Sequence, residues 1–342
     1  MNISDFDYFL PSNLIAQKPC FPRDESKMLC VKGRKFLDTT FKKISNFFNE
    51  GDVIVINNTK VIKANLEGLN GSKKINFTLH MKKNSNNWFA FAKPAKKCNE
   101  NDLIIFNNNL TAKIVRKGLN GEVLLEFNIS GKKLMDTISK IGSLPLPPYI
   151  KNKTSDDDSN YQSYFAKKEG AVASPTASLH FTKDVLNSLN KKGIIITPIT
   201  LHVGAGTFLP VKSDKIKDHK MHYEWCEVNE TTSKIVNNAK KNNKKIIAVG
   251  TTVLRTLESI ALKNDRVVPW KGSTNLFIRP GFEFKITDFL LTNFHLPKST
   301  LMILICAFYG HKNVFNLYQH AIKNNYRFYS YGDCCLLPKK CK

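Results

Sequence analysis

The stretch DVIVIN, at Asp52–Asn57, is a short and nearly continuous apolar run that predicts a buried β-strand. The chain that follows it has a different pattern, with short strand-like runs, several of which alternate apolar and polar residues, at Lys74–Met81, Asn87–Lys93, Asp102–Phe106, Leu110–Arg116 and Glu122–Phe127. Two turns near these runs, Asn70-Gly71 and Asn120-Gly121, carry the residue pair typical of type I′ hairpins. About six short antiparallel strands of this kind predict a small β-barrel.

The second half of the chain alternates strands with helices. Helices are predicted at Lys183–Asn190, at Thr231–Lys241, from a capping Thr251 or Thr252 to about Lys263, and from Ser299 or Thr300 to Tyr309, before Gly310. Strands are predicted at Ile194–Thr200, Ile246–Val249 and Phe289–Thr292. This alternation predicts a mixed or parallel sheet with helices packed on it.

The position of Asp52–Asn57 decides how the two patterns combine, because this run resembles the later strands and precedes the barrel. We therefore predict an α/β fold of mixed α+β type: a discontinuous α/β domain, residues 1–58 and 150–342, with an inserted antiparallel β-barrel domain at 59–149. The Pro-rich segment Ser143–Ile150 marks the second border.

Composition narrows the function less than the motifs do. The chain has 342 residues and a formal net charge of +24, most of it from lysine. Two explanations stay open: a nucleic-acid partner, whose phosphates attract lysine, or a coding bias toward AT-rich codons. The few arginines, among them Arg255 and Arg327, are more informative, because lysine cannot copy the planar guanidinium fork.

Several classes of protein are not supported. The longest apolar run, Leu301–Tyr309, is far shorter than the ~20 residues of a spanning helix, and Met1–Leu10 lacks a basic segment, so we expect a cytoplasmic protein without a membrane partner. The eight cysteines form no C-x-x-C, which disfavours zinc and iron–sulfur sites. The segment His219–His222, with Glu224 nearby, lacks the H-E-x-x-H pattern, and a surface loop is predicted rather than a metal site.

Five short runs place polar residues where strands are predicted to end or helices to begin. In open α/β sheets, ligands bind outside the carboxyl ends of the strands, so these runs predict a common ligand site. They are ASPTASLHFT (Ala173–Thr182), TLHVGAGTF (Thr200–Phe208), VGTTVLRTLES (Val249–Ser259), LTNFHLPKST (Leu291–Thr300) and YRFYSYGD (Tyr326–Asp333).

Each run also has a structural explanation. His202, Gly204 and Gly206 would let the backbone approach a ligand, or form a plain turn. The helix start at Thr251 and Thr252 would bind an anion, or be an ordinary capped helix on which Arg255 and Glu258 form a surface ion pair.

The other three runs have the same two explanations. Asn293 and His295 would face a ligand, or form a turn. His180 would lie beside a ligand that the small residues before it allow to approach closely, or the small residues would simply pack well. The aromatic run with Arg327 and Asp333 would stack on single-stranded bases, or be a half-buried strand.

Taken together, these motifs resemble the S-adenosylmethionine:tRNA ribosyltransferase-isomerase family of queuosine biosynthesis. The resemblance covers nearly the whole chain, with the five runs in order and with LPSNLIAQ (Leu10–Gln17), RDESKML (Arg23–Leu29), NNTK (Asn57–Lys60), PLPPYI (Pro145–Ile150) and Tyr161–Gln162. Ser174, Ser178 and Lys27 depart from the family pattern, and the barrel segment matches loosely.

The resemblance implies an α/β domain with an inserted barrel. It implies transfer and isomerisation of the ribosyl group of S-adenosylmethionine onto 7-aminomethyl-7-deazaguanine at the tRNA wobble position. The products would be epoxyqueuosine-tRNA, adenine and methionine. S-adenosylmethionine would be a co-substrate, with no permanently bound cofactor and no metal, and the partner would be the anticodon loop of a tRNA. We expect a monomer.

The implied chemistry suggests roles for the motif residues. His180, His202 or His295 would do the acid–base work. The methionine carboxylate or a phosphate would be held by Thr251, Thr252 and Arg255. Asn293 and Glu258 would bind ribose hydroxyls. The base or the ribose would be held by Arg327, Tyr331 and Asp333, of which Asp333 is also grouped with the catalytic residues.

Two other classes remain as alternatives. A non-catalytic RNA-binding protein built on the basic barrel would bind tRNA in a salt-sensitive way and would not consume S-adenosylmethionine. The dense polar runs outside the barrel disfavour it. An ordinary methyltransferase is disfavoured because the chain lacks an early glycine-rich strand–helix loop.

Overall fold

The computed structural model describes residues 1–33, 35–107, 109–151, 157–204 and 213–340. Within these ranges the strands β1 to β17 are Lys27–Lys32, Lys35–Thr40, Val53–Asn57, Thr59–Val61, Asn65–Asn70, Lys73–Lys82, Asn87–Lys93, Leu103–Asn107, Leu110–Lys117, Glu122–Phe127, Lys168–Ala171, Ile195–Leu201, Glu224–Val228, Ile246–Val249, Trp270–Thr274, Phe289–Asn293 and Cys334–Pro338. The helices α1 to α7 are Gly131–Ile141, Asp157–Asn160, Lys183–Lys191, Glu230–Lys241, Thr251–Asn264, Thr300–Tyr309 and His311–Lys323.

Nine strands form one mixed sheet in the order β15-β13-β12-β3-β14-β16-β17-β1-β2. At its centre β12, β3, β14 and β16 run parallel to one another, whereas β17 runs antiparallel to β16. Every residue of β3 is buried, as its continuous apolar sequence predicts for a strand covered on both faces. The prediction that Asp52–Asn57 resembles the later strands of the sheet is confirmed, because β3 lies between β12 and β14.

The two faces of the sheet bury alternate residues of each strand. Val53 and Val55 belong to a core shared with α4 to α7, whereas Ile54 and Ile56 belong to a core shared with α3 and the 3-10 helix Phe41–Phe47. Each such side chain contributes about 1.5–3 kcal/mol when fully buried. This two-sided burial holds the central strands, and the loops at their ends, in fixed positions.

The barrel is closed by six antiparallel strands in the order β10-β7-β6-β5-β8-β9 and has its own apolar core. Asn120 and Gly121 both have positive φ, as predicted, but they lie in a longer loop that contains the 3-10 turn Leu119–Gly121. The predicted hairpin centre at Asn70-Gly71 is wrong. Asn70 still pairs with Lys73, so Gly71 and Ser72 are the central residues, and the positive φ falls on Gly71.

The barrel strands all lie between β4 and β11 in the sequence, and these two short strands pair with each other in parallel. The chain therefore leaves the sheet after β3, forms the barrel, and returns through β11 to β12. This order agrees with an inserted barrel, while the exact boundaries at 58/59 and 149/150 stay a prediction.

The carboxyl ends of β12, β3, β14 and β16 meet at one edge of the sheet. Helix α5 begins there, and its N-cap is Gly250, with φ of 90° and no side-chain cap. The predicted cap at Thr251 or Thr252 is wrong, because Gly250 occupies that position and both threonines fall in the first turn. Ser299 does cap α6, since its hydroxyl accepts the Met302 N–H at 3.1 Å.

Two properties of the described residues concern the membrane and the state of the thiols. Their helices include none that is long and apolar enough to cross a bilayer. The cysteines among them are all free thiols, and six of the seven are buried. Cys341 lies outside the described residues.

Candidate functional site

A wide cleft of about 1560 Å³ opens between the barrel and the carboxyl edge of the sheet. The barrel side is formed by β6, β7 and the β9–β10 connection, and the sheet side by β11, the residues around β12 and β13, and α5. The volume exceeds the ~300–1,000 Å³ of common small-molecule pockets, so two ligands can be held at once. Three predicted site residues line the cleft: His202, Gly204 and Arg255.

His202 directly follows β12 and is held on several sides. Its Nδ1 lies 2.8 Å from the Thr59 hydroxyl oxygen, and its ring stacks on Trp225 with centroids 4.9 Å apart. No described residue hydrogen-bonds its Nε2. Burial, followed by the nearby positive Lys168, lowers the pKa of His202 to about 4. The imidazole is therefore neutral near pH 7, with a lone pair available to a ligand.

Arg255 forms a buried ion pair inside the cleft. Its Nη1 donates to Glu224 Oε2, its Nε donates to the Leu276 carbonyl at 3.1 Å, and the two side chains of the pair are only 5% and 7% exposed. Glu224 also accepts the Gly204 N–H at 3.2 Å. The predicted surface pair between Arg255 and Glu258 is wrong, because Arg255 turns to Glu224.

The remaining guanidinium nitrogen of Arg255, Nη2, is buried and receives no hydrogen-bond partner from the described part of the chain. A buried donor without an acceptor is costly, by about 1–3 kcal/mol or more for a charged group. The Thr252 hydroxyl, three residues earlier on α5, is also buried without a described partner. Arg255 lines the cleft, so its Nη2 is available to an anionic ligand there, whereas Thr252 is not one of the cleft-lining residues.

Glu258 has a structural environment. Its carboxylate accepts three backbone N–H groups, from Lys285 at 2.8 Å, Ile286 at 3.2 Å and Thr287 at 2.9 Å. It therefore anchors the segment before β16 and does not line the cleft. Thr251 is the buried first residue of α5.

The segment that contains His219 and His222 is a largely exposed loop and not a helix, as predicted, and it also lines the cleft. Burial, followed by the nearby His222, lowers the pKa of His80 on the opposite barrel wall to about 4. Among the described residues, no group of three His, Cys, Asp or Glu side chains is arranged to hold a metal ion.

His180 lies away from the cleft, in a fully bonded environment. Its Nδ1 is 2.7 Å from the Ser26 hydroxyl and its Nε2 is 3.3 Å from the Asn293 amide nitrogen. Asn293 in turn accepts the Thr176 hydroxyl at 2.9 Å. Burial and the positive charge of Arg327 lower the pKa of His180 to about 3. The adjoining space, of about 10 Å³, is too small for a substrate.

Asp333 organises the run Tyr326–Asp333. Its carboxylate accepts the backbone N–H groups of Lys27 at 3.1 Å and Arg327 at 2.7 Å, and the Arg327 guanidinium at 3.3 Å. These bonds fold the run into a buried turn, so the half-buried strand considered as its structural explanation is wrong. Tyr331 is buried there, edge-on to Tyr161 at 6.0 Å.

His295 is enclosed behind the sheet edge. Its ring Nε2 lies 2.9 Å from the Thr292 hydroxyl, its backbone N–H donates to the Tyr318 hydroxyl at 2.8 Å, and its backbone carbonyl accepts from the Tyr8 hydroxyl. Burial alone lowers its pKa to about 3. His295 does not line the cleft.

The predicted residues thus fall mainly into two sets. We call His202, Gly204, Glu224 and Arg255 the cleft group. The buried cluster consists of His180, Asn293, Arg327, Tyr331 and Asp333. Gly206 lies outside the described residues.

Four residues were not predicted as site residues: Glu224 of the cleft group, and Thr59, Gly170 and Trp225 around it. Thr59 belongs to the NNTK motif, which carried part of the family resemblance but no predicted role. Glu224 was noticed only as a metal candidate beside His222. Gly170 and Trp225 stand in no motif that sequence reasoning singled out.

Comparison with known proteins agrees with the family resemblance. A family model for queuosine biosynthesis proteins matches residues 3–337. An S-adenosylmethionine:tRNA ribosyltransferase-isomerase of Rickettsia bellii is 45% identical over 355 residues, covering 99% of this chain and 100% of the relative. Its namesake from Methylocella silvestris is 46% identical, covering 98% of each. The crystal structure of an S-adenosylmethionine tRNA ribosyltransferase from Thermotoga maritima matches with TM-score 0.57 and 32% identity, covering 97% of this chain and 99% of that one.

Proposed function

The chain belongs to the S-adenosylmethionine:tRNA ribosyltransferase-isomerase family of queuosine biosynthesis, and from this premise we propose that its cleft is the reaction site. The ribosyl group of S-adenosylmethionine is transferred onto 7-aminomethyl-7-deazaguanine at the tRNA wobble position and isomerised. The products are epoxyqueuosine-tRNA, adenine and methionine. The observation that carries this location is the convergence of His202 and Arg255 on one cleft with room for two substrates.

His202 is the general base in this proposal. The positive sulfur of S-adenosylmethionine acidifies the adjacent ribose carbon, C5′, whose proton a base must reach. The lowered pKa of His202 keeps the imidazole neutral, and its Nε2 is the nitrogen that no described residue occupies. The C5′–H bond breaks, the proton bonds to Nε2, and the electron pair stays on C5′ beside the sulfur.

Arg255 holds the methionine carboxylate. Glu224 occupies Nη1 and fixes the guanidinium plane, so Nη2 is presented to a second acceptor. Charge-assisted bonds of this kind are roughly twice as strong as neutral ones. The binding role predicted for the Thr252 hydroxyl, three residues earlier on α5 and outside the cleft lining, stays a prediction.

The rim of the cleft receives the tRNA. We define the cleft rim as Lys82, Lys83 and Leu119 on the barrel and Lys220 and Tyr223 on the sheet side. Leu119 is 86% exposed and Tyr223 is 62% exposed, so apolar surface faces solvent on both sides. Unpaired loop bases are recognised by stacking on aromatic side chains such as Tyr223, while lysines bind the phosphates.

The remaining predicted residues support the site from outside the cleft. The buried cluster, with His295 and Glu258, ties the N-terminal segment, the edge of the sheet and the last strand together. The catalytic roles predicted for His180, His295 and Asp333, and the binding roles predicted for Thr251, Glu258, Asn293, Arg327 and Tyr331, stay predictions.

S-adenosylmethionine enters as a co-substrate and leaves as adenine and methionine, and the proposed chemistry needs no metal. The protein acts as a monomer in the cytoplasm, where its tRNA substrate is found. A complete cleft from one chain supports the monomer, because both of its walls belong to the same molecule.

The test uses S-adenosylmethionine labelled either in the ribose or in the methyl group, with tRNA that carries 7-aminomethyl-7-deazaguanine. We expect ribose label in the tRNA together with released adenine and methionine. Methyl label in the tRNA would instead mean a methyltransferase. Neither label transferred, with tRNA still bound, would mean a binding protein.

A further inference from the structure

We propose that Thr59 is a positioning residue for the reaction, because its hydroxyl holds His202 in the tautomer that carries its proton on Nδ1 and its lone pair on Nε2. The proposal rests on the proposed function, in which Nε2 removes the C5′ proton. It adds a residue that touches no substrate and acts through the imidazole.

The inferred tautomer rests on the two hydrogen-bond partners of the Thr59 hydroxyl, the shorter of which fits either direction of donation. Its oxygen is 3.4 Å from the Lys168 carbonyl, to which it donates, and 2.8 Å from His202 Nδ1. A hydroxyl has one hydrogen, and a carbonyl can only accept. With that hydrogen directed at Lys168, the hydroxyl oxygen accepts from Nδ1–H. A neutral imidazole has a single N–H, so Nε2 keeps its lone pair.

The faces of the ring are held as well. Trp225 stacks on the imidazole with planes 16° apart. Gly170 lies against the ring, and a Cβ added there would be 2.7 Å from Nε2 and 2.8 Å from each neighbouring ring carbon. Because this is far inside contact distance, only glycine fits, and the φ of +146° at this position also favours glycine. These two contacts restrict rotation of the ring, which would exchange its nitrogens.

One short ribbon supplies both supports. Thr59 begins β4, Gly170 lies in β11, and the two strands pair in parallel with an irregularity between Glu169 and Ala171. Such irregularities often re-aim groups beside active sites. Here the irregularity brings bare backbone against the imidazole while β4 presents the hydroxyl.

The preceding residues fix Thr59 itself. The Asn57 side chain accepts the Thr59 N–H at 3.2 Å and bonds both backbone groups of Leu201, the residue before His202, at 3.0 and 2.9 Å. Asn58 accepts the Thr200 hydroxyl at 2.7 Å. The NNTK motif thus joins the ends of β3 and β12 and sets the hydroxyl at the imidazole.

The test compares the full-length wild type with Thr59→Val and Thr59→Ser. Thr287→Val is the matched control, because Thr287 is equally buried and its hydroxyl bonds no described residue. Nitrogen-15 NMR of histidine-labelled protein reports which ring nitrogen carries the proton, and the His202 signals are those lost in His202→Gln.

We expect Nδ1–H in the wild type, in Thr59→Ser and in Thr287→Val, and loss of that single tautomer in Thr59→Val. In the labelled-ribose assay, Thr59→Val should lower kcat by about 10- to 100-fold, as when other oriented histidines lose their partner, with little change in KM. Thr59→Ser should restore most of the activity.

Two results would overturn the proposal alone: a wild-type His202 protonated on Nε2, or a Thr59→Val variant with unchanged tautomer and kcat. A fully active His202→Gln would overturn the base assignment in the proposed function, and the positioning role with it. The NMR measurement needs no turnover, so the two failures are distinguishable.

Discussion

The cleft group and the buried cluster contain the same kinds of side chain, yet their polar atoms are satisfied differently. In the buried cluster both nitrogens of His180 and both oxygens of Asp333 have protein partners. In the cleft group, Nε2 of His202 and Nη2 of Arg255 have none among the described residues. The same sequence pattern, polar residues after strand ends, therefore stabilises the fold in the buried cluster. In the cleft group it leaves polar atoms without protein partners, so that a ligand can bind them.

Physical chemistry connects this difference to function. A fully satisfied buried network rigidifies the chain around it. An open donor or acceptor in a low-dielectric site interacts more strongly with a ligand than it would in water. We therefore expect substitutions in the cleft group to change turnover and binding, and substitutions in the buried cluster to change stability.

The largest expected effect is on turnover in His202→Ala. Loss of a general base costs about 10²–10⁴ in rate, and the side chain lies at the cleft wall, so folding should be little affected. Steady-state kinetics with ribose-labelled S-adenosylmethionine and thermal unfolding measure both. His295→Gln, which removes another neutral imidazole, should leave the turnover of folded protein near wild type. If His295→Gln lost its turnover while His202→Ala kept it, the general base would be His295.

Asp333→Asn should act on stability. The asparagine amide has an NH₂ group where the carboxylate had an oxygen, so a donor would face the backbone N–H groups or the guanidinium that the carboxylate accepts from. We expect a loss of about 2–4 kcal/mol in the free energy of unfolding. Urea denaturation followed by fluorescence measures it. A variant of wild-type stability that had lost its turnover would favour the catalytic role predicted from the sequence.

Arg255→Lys should weaken donor binding. Lysine keeps the charge opposite Glu224 but cannot bond both Glu224 and a carboxylate through a planar fork. We expect the KM for S-adenosylmethionine to rise about tenfold or more, with the KM for tRNA unchanged. Arg266→Lys, on the surface, is the control. Equal effects on both KM values would contradict carboxylate binding by Arg255.

Tyr223→Ala should weaken tRNA binding, since stacking on a base is worth about 1–3 kcal/mol. The KM for tRNA should rise about 5-fold or more, with the KM for S-adenosylmethionine unchanged. Tyr164→Ala is the matched control, because Tyr164 is 56% exposed and does not line the cleft. An unchanged KM for tRNA would remove Tyr223 from the tRNA-binding rim.

A further expected effect concerns the pH dependence of stability, to which histidines of both regions contribute. Burial is the first cause that lowers the pKa of His80 and His202 to about 4 and of His180 and His295 to about 3. Below about pH 6.5 these histidines bind protons in the unfolded chain but not in the folded chain. The free energy of unfolding should therefore fall as the pH drops from about 6.5 toward 4.

Thermal unfolding between those pH values measures this loss. His295→Gln should make the dependence shallower, because glutamine does not titrate and the other three histidines remain. A midpoint that stays constant down to about pH 4 would contradict neutral burial of these histidines.

Much of the fold was predictable because it depends on local patterns. Alternation marked the barrel strands, and the apolar run at Asp52–Asn57 marked a sheet strand before the insert. The errors lie at single positions. Gly250 caps α5 in place of Thr251 or Thr252, and the Asn70-Gly71 hairpin is shifted by one residue, because tertiary packing rather than local preference selects those conformations.

The site was only partly predictable, for a different reason. The family motifs identified His202 and Arg255, but no pattern showed that His180 and Asp333 are satisfied by Ser26 and Lys27. Thr59 contacts His202 across 143 residues of sequence, and such a contact has no local signature. Glu224 is the first residue of β13, a strand that the sequence patterns did not predict, so nothing indicated which way its side chain would point.

The most direct test of the cleft as the reaction site is the release of hydrogen from C5′. S-adenosylmethionine carrying tritium at C5′ is incubated with modified tRNA and with wild type, His202→Ala or His180→Gln, and tritium in water is measured. We predict release by the wild type and by folded His180→Gln, and none above background from His202→Ala. Release at the wild-type rate from His202→Ala, or its loss in a folded His180→Gln, would contradict the assignment of the base to the cleft.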